Sequence, residues 1–147
     1  MFTPDKLENI LCELEEDKEK FKVILDKVLK FAVATFNSVE ELQEELIDIE
    51  DIYQAFIDEI DMQYWIKVSD EKMEYHQGVN ESASVRAWFT CNLIINILKG
   101  EAVGSEAYMK GVIKAHGSLS QGLRYIKLYR AFFRYINAKY KLHGYPG

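Results

Sequence analysis

The sequence predicts an α+β fold: a mixed sheet of about five strands, made of an antiparallel meander plus a closing strand, with helices over one face and a helical extension in front. Three observations predict it. Apolar residues recur at helical spacing through the first 50 residues, the period shortens to two between residues 52 and 89, and helical spacing returns over a long amphipathic run after Gly117. A single domain of 147 residues is expected, with residues 1–50 as the extension and residues 52–140 as the core. With 48% hydrophobic residues, a chain of this length is expected to bury roughly 68–70% of its unfolded surface.

The elements follow in order. Thr3, Pro4 and Asp5 make a helix start, because a hydroxyl caps the end, proline fits the first turn and the acid complements the dipole. Leu7, Ile10, Leu11 and Leu14 then share one face. After the charged stretch Glu15 to Lys20, the residues Phe21, Ile24, Leu25, Val28 and Phe31 renew the stripe, either as a second helix or as one long helix with a solvated middle. Ser38 and Glu41 have the capping-box spacing, which predicts another helix start.

From Ile52 onward, Ile52, Gln54, Phe56 and Asp58 alternate with Tyr53, Ala55, Ile57 and Glu59, a first strand with a helix as the competing reading. Met62, Tyr64, Ile66 and Val68 alternate more clearly with Gln63, Trp65, Lys67 and Ser69. A turn at Ser69 to Glu71 leads into Lys72 to Gln77, and Gly78-Val79-Asn80 is expected to turn the meander again into Ala83, Val85, Ala87 and Phe89. Leu93, Ile94, Ile97 and Leu98 form a helical face that Gly100 is placed to end, and Ser105 caps a short helix.

Little in the chain points to catalysis. His76, His116 and His143 have no second ligand or nucleophile at a useful spacing in the same element, so metal binding and acid–base catalysis are not expected. Gly111, Gly117 and Gly122 lack the lysine and hydroxyl of a phosphate loop and read as turn and close-packing positions. Cys91, at a strand-to-helix junction, reads as an unreactive thiol because no base is identifiable beside it. Cys12 and Cys91 stand in separate elements without a secretory signal, and no run approaches the roughly 18 uncharged residues of a membrane span. A cytoplasmic protein with reduced thiols is expected.

Charge is divided along the chain. Residues 1–106 hold 10 basic and all 24 acidic residues, whereas residues 107–147 hold 8 basic and none acidic. The ten acids between Val39 and Asp61, with no base among them, favour compensation within the molecule over an anionic partner. On the last helix, Tyr125, Ile126, Tyr129, Phe132, Phe133, Ile136 and Tyr140 cover about half the circumference, opposite Lys127, Arg130, Arg134 and Lys141. A surface helix needs a stripe only a little over 100° wide to reach its core. The surplus must meet the amino-terminal extension, a ligand, or a membrane or protein surface. Nucleic acid is not expected, since the rest of the chain is acidic and no reader motif is present.

Ala107 to Tyr129 reads AYMKGVIKAHGSLSQGLRYIKLY, and its Ala107, Tyr108, Met109, Gly111, Val112, Ile113 and Gly117 resemble the carboxy-terminal signature of the sterol carrier protein type 2 family. The usual acidic residue after the second glycine is Ser118 here. The likeness covers about Ile52 to Ile136. It implies a sheet and helices enclosing an apolar ligand tunnel, and a non-enzymatic carrier of a fatty acid, acyl-CoA, sterol or isoprenoid lipid, with no cofactor. The wall candidates it implies are Trp65 or its neighbours Tyr64 and Ile66, then Ala87, Phe89, Met109, Leu123, Ile126 and Tyr129, with Gln121 a polar contact at the mouth. Which strand face points inward stays open, because a one-residue slip exchanges the two sets. The alternative is an interaction or accessory domain of the same fold whose own side chains fill the cavity. Weak membrane-surface contact through the last helix is compatible with either.

Overall fold

The computed structural model describes residues 17–98 and 114–140. The helix start at Thr3, the Leu7 to Leu14 stripe, the Gly100 helix end, the Ser105 cap and Met109 lie outside them.

Asp17 opens helix α1 (Lys18–Ser38), its carboxylate accepting from the amides of Glu19 and Lys20 at 2.9 and 3.3 Å. Two otherwise orphaned donors are thereby satisfied. Because Asp17 is extended, no single helix runs through the charged stretch. Phe21, Leu25, Leu29 and Phe36 are buried along one face. The capping box expected at Ser38 and Glu41 does not form: Ser38 still belongs to α1, and its hydroxyl donates back to the Ala34 carbonyl at 2.8 Å. Val39 takes the N-cap position of the one-turn helix α2 (Glu40–Gln43) without a side-chain bond, and a 3-10 turn follows at Glu44–Leu46.

The strands are β1 (Asp51–Ile57), β2 (Met62–Ser69), β3 (Lys72–Gln77), β4 (Val85–Trp88) and β5 (Lys114–Gly117), in the order β3-β2-β1-β4-β5. Helix α3 (Cys91–Leu98) follows β4, and α4 (Leu119–Tyr140) follows β5. Residues 51–57 are thus strand, not helix. Asp70 and Glu71 both have positive φ, 52° and 61°, which matches the right-handed twist of the β2–β3 hairpin. Ser69 and the Asp70 amide both bond to Glu50, which braces that turn.

The meander stops at β3. Instead of pairing with β3, β4 runs parallel to β1 on its far side. A buried amide holds this crossover. Gln54, 1% exposed on the sheet face away from the helices, donates to the carbonyls of Tyr64 and Gly78 at 3.0 and 3.1 Å and accepts from the Asn80 amide at 2.8 Å. The chain leaving β3 is therefore tied to the centre of the sheet instead of folding back along its own edge.

Helix α1 covers the edge that remains. The Asn37 side chain donates to the Met73 carbonyl and accepts from its amide, both at 2.8 Å, as a neighbouring strand would. Asp26 accepts from the Tyr75 hydroxyl at 2.7 Å and from Gln77 at 2.9 Å.

Helix α4 is fixed to the centre of the sheet by charge. Asp51, 4% exposed, receives Nε and Nη2 of Arg124 at 2.8 and 2.9 Å, and the Tyr53 hydroxyl at 2.6 Å. Burial pushes the Asp51 carboxyl up, but the bonds from Arg124 and Tyr53 more than offset it and leave its pKa lowered. The next residue, Tyr125, then stacks on Tyr53 at 4.4 Å between ring centres. Ser118 caps α4, accepting from the Gln121 amide at 3.3 Å, so the departure from an acid at this position keeps a capping side chain.

Gly117, expected at a tight strand exit, has φ +111°, and a Cβ there would stand 2.0 Å from the Ser84 carbonyl oxygen. Gly117→Ala is expected to destabilise the fold by about 1–3 kcal/mol, read from denaturant melts; an unchanged midpoint would remove this constraint. Asp51→Asn tests the fork on α4. A lowered folded pKa contributes stability above the unfolded value of 3.8 that is lost as pH falls through the folded value. The variant should therefore be less stable than wild type at pH 7, by about 2 kcal/mol with the guanidinium partly solvated, and the gap should narrow once pH falls below 3.8 and close below the lowered folded value. A gap independent of pH would show that the charge is not the source.

Candidate functional site

The inward side chains of β2 (Met62, Tyr64, Ile66 and Val68) form the floor on which α1 and α4 lie. Between the two helices runs an aromatic seam. Phe132 of α4 meets Phe31 edge-on at 6.1 Å and stacks with Phe36 at 6.2 Å, and Phe133 packs on Phe132 at 5.5 Å. The surplus width of the α4 face thus meets the helical extension.

Among the described residues, two cavities open within this seam. One of about 50 Å³ is walled by Leu25, Val28, Leu29 and Ala32 of α1, by Tyr129, Phe132 and Phe133 of α4, and by Tyr64, Phe89 and Ile94. A second, of about 30 Å³, shares Leu29, Ala32, Tyr129 and Phe132 with the first and adds Ile66, Met73 and Tyr125 among others. Among the described residues, neither wall carries a charged side chain.

The polar atoms in the seam are tyrosine hydroxyls. Tyr129 lies 2.5 Å from the Tyr125 hydroxyl and 3.4 Å from that of Tyr64. Burial raises the pKa of all three, so they remain neutral phenols across the ordinary pH range.

Of the residues predicted from sequence, Tyr64, Phe89 and Tyr129 line the larger cavity, and Ile66 and Tyr129 line the smaller. Trp65 does not face the seam: strand alternation puts it on the opposite sheet face, stacked on His76 at 4.3 Å. Ala87 and Ile126 are buried but border neither cavity, and Ala87 packs with Leu93 in a separate cluster. Leu123 is 38% exposed. Gln121 accepts a hydrogen bond from the Ser84 hydroxyl, which ties the start of α4 to the approach to β4. The α1 wall was missed. Its stripe was visible at Leu25 and Val28, and the surplus width of the last helix offered the amino-terminal extension as its partner, but neither signal named these residues as cavity wall.

Other candidates fall outside the seam. Burial, then the Glu59 carboxylate, hold the Cys91 thiol above its ordinary pKa, against the acidifying influence of a helix start. Among the described residues, no group of three or more His, Cys, Asp and Glu side chains is placed to hold a metal ion, and no helix is long and apolar enough to cross a membrane. The expected charge compensation is met at Arg124 and Asp51. Lys127, Arg130 and Arg134 instead stand exposed, and no ion pair among the described residues joins them to the acids of residues 39–61. Helical phase turns them away from the sheet that carries those acids.

Comparison with family models gives no match, and comparison with curated proteins gives none. Solved structures match by fold. The UbiJ-SCP2 ubiquinone synthesis protein is similar with a TM-score of 0.61 at 7% identity, over 76% of this chain and 98% of that one. Sterol carrier protein 2 like 2 of Aedes aegypti gives 0.56 at 15% identity, over 73% of this chain and 97% of that one, and its palmitated form gives 0.55. The sec-alkylsulfatase Pisa1 of Pseudomonas gives 0.50 at 11% identity, and this chain spans only 13% of that enzyme's length. The five-stranded mixed sheet backed by α1 and α4 is a sterol carrier protein 2 fold.

Proposed function

We propose that the protein binds one apolar ligand of the acyl, sterol or isoprenoid kind in the seam between α1, α4 and the sheet, and carries it in the cytoplasm without chemical conversion. The observation that supports this is a seam whose described walls, drawn from both long helices, the sheet and α3, are uncharged and almost wholly apolar, with phenol hydroxyls among them. Binding would be driven by removing apolar ligand surface from water, at roughly 25 cal/mol per Å². The two cavities are well below the roughly 300–1,000 Å³ of a ligand pocket. They share four wall residues, and Tyr129 and Phe133 are half-buried, so a chain would enter by turning these rings aside and joining the two spaces. The palmitated state of one solved relative by fold is in keeping with this.

The small volumes favour a second reading, an interaction or accessory domain whose aromatic side chains already occupy the seam. Titration with a fluorescent fatty acid or acyl-CoA separates the two. Saturable binding near one per chain is expected, and Ala32→Trp, which fills both cavities, should weaken it about tenfold or more while costing about 1–3 kcal/mol of stability. Probe partitioning without saturation, with no lipid carried through purification, would make the filled domain the better reading.

Lys127, Arg130 and Arg134 give the carrier a means of weak membrane approach, each contributing about 1 kcal/mol near an anionic bilayer. Opposing the net charge of −6, this attraction should be slight at physiological salt, stronger at low salt, and abolished when the three become glutamine. Cosedimentation with phosphatidylserine vesicles measures it, and binding indifferent to salt would sink the electrostatic account.

A further inference from the structure

We propose that the outward stripe of α4 is a membrane-docking surface: Leu119 and Leu123 enter the acyl boundary of an anionic bilayer while Lys127, Arg130 and Arg134 lie among its phosphates. This rests on the electrostatic approach of the carrier to a bilayer and adds to it an apolar anchor and a fixed orientation.

The stripe follows from helical phase. Leu119, Leu123, Lys127, Arg130 and Arg134 fall within an arc of roughly 80° along roughly 20 Å of helix. All five are exposed, the leucines by 51% and 38%. Exposed apolar side chains are ordinary when scattered singly. Val23 on α1, Ile47 after the 3-10 turn and Val79 in the crossover are of that kind, whereas the two leucines stand on successive turns of one face. A solvated helix face ordinarily mixes acids with bases, and α4 contains no Asp or Glu.

Order along the stripe decides the occupant. The leucines come first and the bases occupy the turns that follow. An apolar end continued by a basic end matches the two layers of an anionic bilayer surface, acyl chains below and phosphates above, so α4 lies in the interface with its first turns deepest. Long basic side chains reach the phosphates while their stems stay against apolar surface. Phe133, half-buried in the wall of the larger cavity, is one residue from Arg134 and one turn from Arg130, so a docked stripe holds that wall at the membrane surface. Apolar cargo then passes between seam and bilayer without crossing bulk water.

Vesicles of about 3:1 phosphatidylcholine to phosphatidylserine, brominated on the acyl chains, test this with the full chain at low salt. The emission that Leu123→Trp adds is expected to fall by about half or more on binding, since bromine there quenches rings that enter the acyl layer. Val79→Trp, in the crossover tied to the opposite sheet face, should add emission that the vesicles leave unquenched. Replacing Leu119 and Leu123 together by serine should weaken cosedimentation about fivefold with the fold retained, because both side chains already face solvent. Unquenched emission from Leu123→Trp on vesicles that bind, or a serine variant that binds as wild type does, overturns the leucine anchor and leaves the electrostatic approach intact. Equal binding to phosphatidylcholine alone overturns the anionic partner. Wild type that fails to bind these vesicles even at low salt overturns the electrostatic approach and this proposal together.

Discussion

The fork from Arg124 to Asp51 sets the geometry on which the interior depends. Asp51 begins the central strand and is buried, so its charge is held there only by a partner that can satisfy both carboxylate oxygens, and the planar guanidinium does so. Fixing Arg124 fixes the rotation of α4 about its axis. Tyr125 then falls on Tyr53, Tyr129 over Tyr64, and Phe132 between Phe31 and Phe36. A different phase would turn these rings toward solvent and the basic residues toward the sheet.

The amino-terminal helix is as much a part of this interior as the sheet. Through Asn37 and Asp26 it binds the exposed backbone and side chains of β3, so the edge strand gains a partner of helical, not strand, character. That attachment brings Leu25, Leu29 and Ala32 opposite the α4 aromatics. The seam is therefore a product of two anchorings made on different strands: α1 on the edge, α4 at the centre. Side chains on either helix alone enclose nothing.

Interior chemistry follows from the same division. Asp26 pairs with Lys30 on the outside of α1, and the one charge carried into the central strand, Asp51, is paired with Arg124. Inside, the tyrosine hydroxyls that bond to one another mark the place where the apolar walls are interrupted. Rings packed against rings leave small gaps, and the gaps share walls, so a modest rotation of half-buried side chains changes their volume more readily than a backbone shift would.

Much of the fold was legible in the sequence because its signals are local. The alternation Met62 to Val68 names a half-buried strand, and Gly117 names a position where a side chain does not fit. Tyr64, Phe89 and Tyr129 could be named as wall residues on the same footing, with help from the family signature. What lay beyond reach depended on partners distant in the chain. Periodicity could not tell Trp65 from Tyr64, since the inward face is decided by which side the helices pack against. Nor could it show that the Gln54 amide would carry the chain across the sheet to place β4 beside β1, 26 residues separating Gln54 from the Asn80 it binds. A sequence records which side chains are apolar and at what spacing. Whether two such faces meet, and what space they leave, was decided by the tertiary structure, through the anchoring of α1 and α4 on separate strands.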